Sequence, residues 1–285
     1  MTQLFSWYPD SQAPSMDQAF FDLSLLSDPG TERDKNEDSC GRYVDESGVA
    51  LFAVADGVGG FEGGEVASAL AVEATMQAFR ESPVEWGAAK RLYRAVQRAN
   101  VEVYSKAFSV PELRRMATTL TAVAVERGVL NAAHVGDCRL YLARRGKITQ
   151  ISQDHTMVAE QIRRGFMTAD SAREHPESAL LLRNIGHELI VSIAKISMPL
   201  MQGDRVIVCS DGLYNVLRDS ELELLTRDLA AEAACRRLID TANERGSADN
   251  LTCAFFKMIG PTSHEVAARP ARMRERLRGL LGGRS

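Results

Sequence analysis

The sequence predicts an α+β layered sandwich, because antiparallel hairpins occur beside helices that are grouped in blocks. Apolar residues recur with a period of two at 119–135 and 139–151, as expected for hairpin strands. They recur near the helical period at 66–79, 86–108 and 213–244. A chain of 285 residues is long enough to bury the core that such layers require.

The first predicted elements are a hairpin and a long helix. Two strand-like runs lie between Asp38 and Asp56, joined by the turn sequence Asp45-Glu46-Ser47-Gly48. A glycine-rich loop at 57–64 precedes the helix. This loop lacks the lysine of a P-loop, so it is not predicted to bind a nucleotide.

The second half of the chain is predicted to end in strands around a helical block. Residues 155–188 are expected to be mostly helical and polar. Strands are predicted at Leu189–Met198 and Arg205–Cys209, and a closing strand at Leu251–Met258.

Charge divides the chain into an N-terminal extension (1–30), one domain (31–260) and a basic tail (261–285). The tail carries six arginines and two glutamates, a net +4, so the remainder carries about −8. A disordered tail is favoured over the alternative, a short basic amphipathic helix that contacts a partner or a membrane surface. The overall charge of −4 gives no reason to expect nucleic acid as a partner.

Composition favours a cytoplasmic location. The five cysteines are scattered without a C-x-x-C pair: Cys40, Cys138, Cys209, Cys235 and Cys253. Such cysteines are predicted to be reduced core residues. The first residues do not have the pattern of a secretory signal, and no apolar stretch is long enough for a transmembrane segment.

Carboxylates stand at abrupt ends of the apolar runs. Three runs read L-F-A-V-A-Asp56-Gly57, A-A-H-V-Gly136-Asp137 and R-V-I-V-C-S-Asp211-Gly212, and Glu37, Asp38 and Asp249 lie at other strand boundaries. Carboxylates gathered at one rim of a sheet repel one another unless a cation lies between them. Mg²⁺ and Mn²⁺ prefer such oxygen ligands, whereas the histidines and cysteines lack the spacing of a zinc site.

Two interpretations of these carboxylates are open. Taken singly, each Asp-Gly is a turn signal. Taken as a set, the carboxylates predict a paired-metal hydrolase, in which two ions about 3.5–4 Å apart activate one water and hold a phosphoryl oxygen.

Seven motifs in order carry a family resemblance: R-D-K-N-E-D (33–38), L-F-A-V-A-D-G-V-G-G-F-E-G-G-E-V-A-S (51–68), T-T-L-T-A-V (118–123), A-H-V-G-D-C-R-L-Y-L (133–142), Q-D-H-T (153–156), S-D-G-L-Y (210–214) and A-D-N-L-T (248–252). The sequence thereby resembles the metal-dependent serine/threonine protein phosphatases of type 2C, the PPM family. The resemblance runs from about Arg33 to Phe256, and its glycine-rich second motif is similar to that of bacterial members.

The resemblance implies a four-layer α-β-β-α sandwich of two antiparallel sheets flanked by helices. It implies a dinuclear Mn²⁺ or Mg²⁺ centre, with a weaker third ion. A metal-bridging hydroxide would attack the phosphorus of phosphoserine or phosphothreonine directly. The expected partners are phosphorylated proteins, including a serine/threonine kinase that the enzyme opposes.

The resemblance also assigns roles to single residues. It implies metal binding by Glu37 (through water), Asp38 (as a supporting acid), Asp56, the Gly57 carbonyl, Asp211 and Asp249, and third-metal binding by Asp137. Arg33 is implied as the group that binds the substrate phosphate with its planar fork. A surface salt bridge is the alternative for Arg33. Residues 156–182 correspond to the family's variable flap beside the active cleft.

Two positions depart from the family pattern. Val58 stands where eukaryotic relatives have a histidine proposed as the general acid, so the sequence does not identify the general acid. Cys138 replaces a serine next to Asp137 and is a weaker hydrogen-bond donor. His134 is predicted to be a satisfied core histidine, and His155 to shape the local backbone.

Two other functions are weighed against a protein phosphatase. A non-catalytic phosphoprotein-binding module would be expected to lack some of the metal carboxylates, yet all of these positions are filled. A phosphatase acting on small phosphoesters or nucleotides stays open, because the flap sets substrate choice. The sequence does not give the physiological substrate, the cognate kinase, the pathway or the oligomeric state.

Overall fold

The structure is a computed structural model that describes residues 20–58, 63–168, 171, 175, 177 and 180–262. Ten strands are described: β1 (Phe21–Asp28), β2 (Asp38–Val44), β3 (Ala50–Asp56), β4 (Leu120–Glu126), β5 (Val129–Val135), β6 (Arg139–Arg144), β7 (Lys147–Gln150), β8 (Ala194–Pro199), β9 (Arg205–Cys209) and β10 (Leu251–Met258). They form two five-stranded antiparallel sheets. The strand order is β1-β10-β9-β6-β7 in the first sheet and β2-β3-β4-β5-β8 in the second.

The described helices are α1 (Gly64–Glu81), α2 (Ala88–Ser109), α3 (Met157–Arg163), α4 (Asp211–Tyr214), α5 (Asp219–Thr226) and α6 (Ala231–Glu244). The first two are long because their apolar residues repeat at helical spacing without an internal proline. None of the helices in the described residues is long and apolar enough to cross a membrane.

Three apolar cores separate four layers. One core lies between α1, α2 and the outer face of the second sheet, and another between the two sheets. The third lies between the first sheet and the helices α4 to α6. The expected α-β-β-α sandwich is therefore confirmed.

Strand β3 shows why the predicted runs are continuously apolar. Leu51 and Ala53 pack in the core beneath the helices, whereas Phe52 and Val54 pack between the sheets. Because alternate side chains enter two different cores, the strand has no solvated face. A carboxylate at the end of such a strand is carried to the edge of both cores.

The predicted N-terminal extension (1–30) includes a strand of the first sheet. Strand β1 pairs along its length with β10, from Phe21 opposite Met258 to Asp28 opposite Leu251. The last part of the predicted extension therefore belongs to the first sheet. The rest of that extension (1–19) and the tail from residue 263 lie outside the described residues.

Two other element predictions need correction. The described part of 155–188 contains one regular helix, α3, rather than mostly helix. The strand predicted from Leu189 begins at Ala194, because the preceding backbone bonds to a side chain instead of a neighbouring strand. The Asn100 amide donates to the carbonyls of Glu188 and Leu189 at 3.0 and 3.1 Å.

A buried ion pair joins the β2–β3 hairpin to α2. Arg91 Nη1 lies 2.8 Å from Asp45 Oδ2, and the two side chains are 3% and 7% exposed. Burial acts to raise the pKa of Asp45, but hydrogen bonds from Ser47, Arg91 and Val49 lower it overall. The folded state therefore favours the ionised carboxylate.

Asp45→Asn is expected to lower the free energy of unfolding by about 3 kcal/mol, because it leaves the Arg91 charge buried without a partner. Urea unfolding at pH 7 measures the loss. The Asp45 contribution is complete above the unfolded pKa and is lost as the pH falls through the lower folded pKa, so the variant should lose less stability in acid.

Glu102→Gln is the matched control, because it breaks an exposed ion pair with Arg98 on the same helix. Such a pair contributes at most about 0.5 kcal/mol. Equal losses in the two variants would contradict a structural role for the buried pair.

Candidate metal centre

Four aspartates reach one rim of the sandwich because of strand register and strand ends. Asp38 begins β2 and lies directly opposite Asp56, which ends β3. Asp211 is the first residue of α4, two residues after β9, and Asp249 lies two residues before β10. Since β9 and β10 pair antiparallel, the end of one lies beside the start of the other.

A hydrogen bond from the neighbouring sheet holds the Asp38 side chain behind the rim. The Ser210 hydroxyl donates to Asp38 Oδ2 at 2.6 Å, and the same hydroxyl accepts from the Thr252 amide at 3.0 Å. Burial raises the pKa of Asp38 to about 7, and hydrogen bonds from Ser210 and Thr252 oppose this rise. The carboxyl group is fixed in orientation and faces little solvent.

Asp56 and Asp211 meet at the centre of the rim. A hydrogen bond joins their carboxyl groups and lowers the pKa of Asp211, although burial and the charge of Asp249 raise it overall. Burial also raises the pKa of Asp56, and Asp38, Asp211, Asp137 and Asp249 raise it further through their charges. The ionised forms of these groups disfavour one another.

Asp137 joins the same electrostatic group from the β5–β6 turn. It is nearly buried, and burial together with the charges of Asp211 and Asp154 raises its pKa to about 8. Arg139 lowers the pKa of Asp137 in part. The Arg139 guanidinium is itself held by Asp154 at 2.8 Å.

Glu37 lies at the first turn of α1. An added Cβ at Gly64 would lie 3.0–3.2 Å from the Glu37 carboxyl group. The backbone carbonyl of Glu37 accepts from the Ser68 hydroxyl at 2.6 Å and from the Gly57 amide at 3.1 Å. Burial raises the pKa of Glu37, and Arg33 lowers it in part.

The glycines after Asp56 and Asp211 are required by the backbone. A Cβ at Gly57 would lie 2.4 Å from the carbonyl oxygen of Gly64 and 2.7 Å from that of Glu37. A Cβ at Gly212 would lie 2.2 Å from the carbonyl oxygen of Asn250. The close neighbours of both glycines are therefore backbone atoms of adjacent segments.

The predicted convergence of carboxylates is met only in part. Among the residues that the structure describes, no three carboxylate, imidazole or thiol groups form a cluster at metal-ligand spacing. The donor set nevertheless fits a hard divalent cation, because every candidate donor is an oxygen atom. Neighbouring negative charges also raise the pKa of Asp56 and of Asp211, and a bound cation would reverse that effect.

The salt bridge that was the alternative for Arg33 is present in the structure. Its Nη2 lies 2.9 Å from Asp249 Oδ2, and its Nε donates to the Ala248 carbonyl at 3.2 Å. The Arg33 side chain is 48% exposed. The salt bridge therefore exists, but its partner is a candidate metal ligand, and the pair fixes the guanidinium at the rim.

Asn250 is a site residue that the sequence analysis missed. Its buried side chain donates to the carbonyls of Pro29 and Lys35 at 2.9 and 2.8 Å. Its Oδ1 accepts from the Glu37 amide at 2.9 Å. One side chain therefore holds the loop that carries Arg33 and Glu37, and a polar residue between Asp249 and an apolar strand was the available signal.

The core histidine prediction is also tested by these contacts. His134 is fully buried, and its two ring nitrogens lie 2.8 Å from Thr121 Oγ1 and 3.0 Å from the Gln153 carbonyl. It is a satisfied core residue, as predicted. Cys138 Sγ lies 3.1 Å from Thr119 Oγ1, so this thiol contacts the strand beside Asp56.

Asn250→Asp is expected to lower the free energy of unfolding by about 1–3 kcal/mol, since it removes the donor of two partly buried hydrogen bonds. It should also speed amide exchange in residues 29–37 more than elsewhere, which hydrogen-exchange mass spectrometry measures.

Asn131→Asp provides a matched control, because Asn131 is buried but bonds only to Ser197 in the second sheet. It should leave exchange in residues 29–37 as in the unaltered chain. Equal exchange in that loop for the two variants would show that Asn250 does not anchor it.

Comparisons with known proteins agree with this geometry. The family model described as protein phosphatase 2C matches residues 31–255. The serine/threonine phosphatase stp of Listeria monocytogenes is 33% identical over 232 residues, which cover 79% of this chain and 91% of that protein. PstP of Mycobacterium tuberculosis is 38% identical over 82% of this chain, but only 44% of that protein is covered.

Solved structures show the same fold. The catalytic domain of PstP in complex with two manganese ions has a TM-score of 0.74 and 32% identity, with 85% of this chain and 99% of that chain covered. Stp1 from Staphylococcus aureus has a TM-score of 0.78 and 27% identity, with 84% and 95% covered. The two-sheet sandwich and this family match show that the chain belongs to the protein phosphatase 2C family.

Proposed function

We propose that this chain hydrolyses phosphoserine and phosphothreonine in proteins, with two Mn²⁺ or Mg²⁺ ions held at the rim. The observation that carries the proposal is the placement of Asp38 directly opposite Asp56 at the rim that Asp211 and Asp249 also reach. Relatives with a third or more identical residues are named serine/threonine phosphatases.

The proposed metal-holding groups are those at the rim: Asp56, the Gly57 carbonyl, Asp211, Asp249 and, through water, Glu37. Asp38 would support them from behind, and Asp137 would help hold a weaker third ion. Bound divalent ions lower the pKa of water and neutralise charge on phosphoryl oxygens.

The chain's own residues would orient the substrate. Arg33 is half-exposed and is fixed by Asp249, so its planar group can meet two phosphate oxygens without first being ordered. The reaction consumes one water and releases phosphate and the serine or threonine hydroxyl. Val58 cannot donate a proton to that leaving group.

The wider setting belongs to the same proposal. Phosphorylated proteins, among them a serine/threonine kinase that the enzyme opposes, would be the partners, and the cytoplasm the location. The basic tail (261–285) would contact a partner or a membrane surface only if it forms an amphipathic helix. Nearly all of that tail lies outside the described residues.

Asp211→Asn is expected to lower kcat/KM for a phosphothreonine peptide in Mn²⁺ by at least about 100-fold, because it removes one charge from the centre of the rim. The assay measures phosphate release with Mn²⁺ and with a chelator. Nucleotides serve as a second substrate, and faster turnover of nucleotides than of the peptide would overturn the assignment to proteins.

Mn²⁺ is expected to raise the thermal unfolding midpoint of the unaltered chain more than that of Asp211→Asn. Binding to the folded state alone at 100 times the dissociation constant contributes about 2.7 kcal/mol. Asp240→Asn, an exposed change on α6, is the control and should keep both the activity and the shift. Equal Mn²⁺ shifts in all three proteins would contradict metal binding at Asp211.

A further inference from the structure

An unexplained pair of side chains lies beside the rim. His155 Nδ1 accepts from the Gly136 backbone amide at 3.1 Å, and His155 Nε2 lies 3.3 Å from Arg183 Nη1. The His155 ring also packs at a tilt against buried His134, with ring centroids 4.7 Å apart. The ring is therefore fixed by a backbone bond and by packing.

The positions of the hydrogens leave two donors of this pair without an acceptor. Since the Gly136 amide donates to Nδ1, a neutral His155 must carry its proton on Nε2. The Nε2–H then faces the Arg183 guanidinium, which has donors and no acceptor. Burial, followed by the charges of His134 and Arg183, lowers the pKa of His155 to about 3, so the ring is neutral. Two donors face each other with no acceptor between them.

Arg183 has no acidic partner among the described residues. Its one polar side-chain contact in that part of the chain is the His155 ring, and its side chain is exposed. Asp154, the carboxylate next in sequence to His155, accepts hydrogen bonds from Arg139 and from Gln150. The Arg183 charge is therefore available to a group from outside the chain.

Backbone bonds hold this pair close to the rim. The Leu182 amide donates to the His155 carbonyl at 2.7 Å, and Ile185 exchanges two backbone bonds with Thr118. The Thr118 hydroxyl donates to the Asp56 carbonyl at 2.7 Å. Two extended residues span at most about 7 Å, so Arg183 lies within a side chain's reach of the end of β3.

We propose that Arg183 and the His155 Nε2–H together bind an oxyanion on the substrate protein, a carboxylate or a second phosphate that flanks the phosphorylated residue. An oxyanion accepts a hydrogen bond from both donors at once, so that neither is left without an acceptor. This inference rests on the proposed function and adds a substrate preference to it. Arg183 and His155 act in binding, apart from the reacting atoms.

The test uses the full chain in Mn²⁺ with matched phosphothreonine peptides. Glu is placed in turn at each of the three positions on either side of the phosphothreonine, and Gln replaces it in the partner peptide. We expect kcat/KM to be about fivefold higher for the Glu peptide at the preferred position, mainly through a lower KM, as for an exposed ion pair. A peptide with a non-hydrolysable phosphonate at that position separates a second phosphate from a carboxylate.

The assignment to Arg183 is tested with variants. For each protein we compare the ratio of kcat/KM for the Glu peptide to kcat/KM for the Gln peptide. Arg183→Gln should bring the ratio to about 1, and Arg183→Glu should bring it below 1. Arg237→Gln, an exposed arginine change on α6, should keep the ratio of the unaltered chain. If Arg183→Gln folds poorly, the second measurement is the same ratio for the unaltered chain at high salt, where screening should bring it to about 1.

The outcomes separate the two proposals. If the unaltered chain hydrolyses neither peptide, the proposed function fails. If it hydrolyses both equally at every position, or if Arg183→Gln keeps the preference, the function stands and this inference is overturned.

Discussion

The structure depends on carboxylates that are carried into a buried edge where they oppose one another. Strand β3 is covered on one face by helices and on the other by the first sheet, and it ends in Asp56. The register of the hairpin places Asp38 opposite, and the start of α4 brings Asp211 close enough to hydrogen-bond Asp56. Each group is costly to ionise there without a counter-charge, because burial and neighbouring negative charges act in the same direction. A divalent cation supplies that counter-charge, so the unfavourable electrostatics of the rim and its metal chemistry have one cause.

Contacts between segments that are far apart in sequence fix the positions of the carboxylates at this rim. Ser210 connects Asp38 of one sheet to the Thr252 backbone of the other. At Gly57 and Gly212 the neighbouring backbones approach so closely that any side chain would overlap a carbonyl oxygen. Sliding of one sheet relative to the other would therefore break the bond between Ser210 and Asp38. Packing of this kind favours one arrangement of the ligands over many.

Much of this could be predicted from the sequence, and the failures have physical reasons. The bounds of β9 and β10 match the prediction because each strand is built around a continuous apolar run, at 206–209 and 253–256. Strand β1 was missed because F-D-L-S-L-L-S-D is only partly buried, and its pairing partner is more than 220 residues away. The candidate metal carboxylates were found because strand ends are visible in sequence. Asn250 and the pairing of His155 with Arg183 were not found, since both depend on contacts between distant segments that leave no periodic pattern.

The loop that carries Arg33 and Glu37 connects the proposed phosphate-binding group to a proposed metal ligand. The loop has no regular secondary structure, and its position is set by Asn250, one residue before β10, and by the Arg33–Asp249 pair. In the proposed function, any shift of Asp249 on binding an ion would act directly on the guanidinium that would receive the phosphate. The reverse would also hold, because a phosphate that attracts Arg33 would change the hydrogen bonds of Asp249. The proposed binding of a cation and of substrate at the rim would thus be coupled through one exposed ion pair, whose two members lie more than 200 residues apart in the sequence.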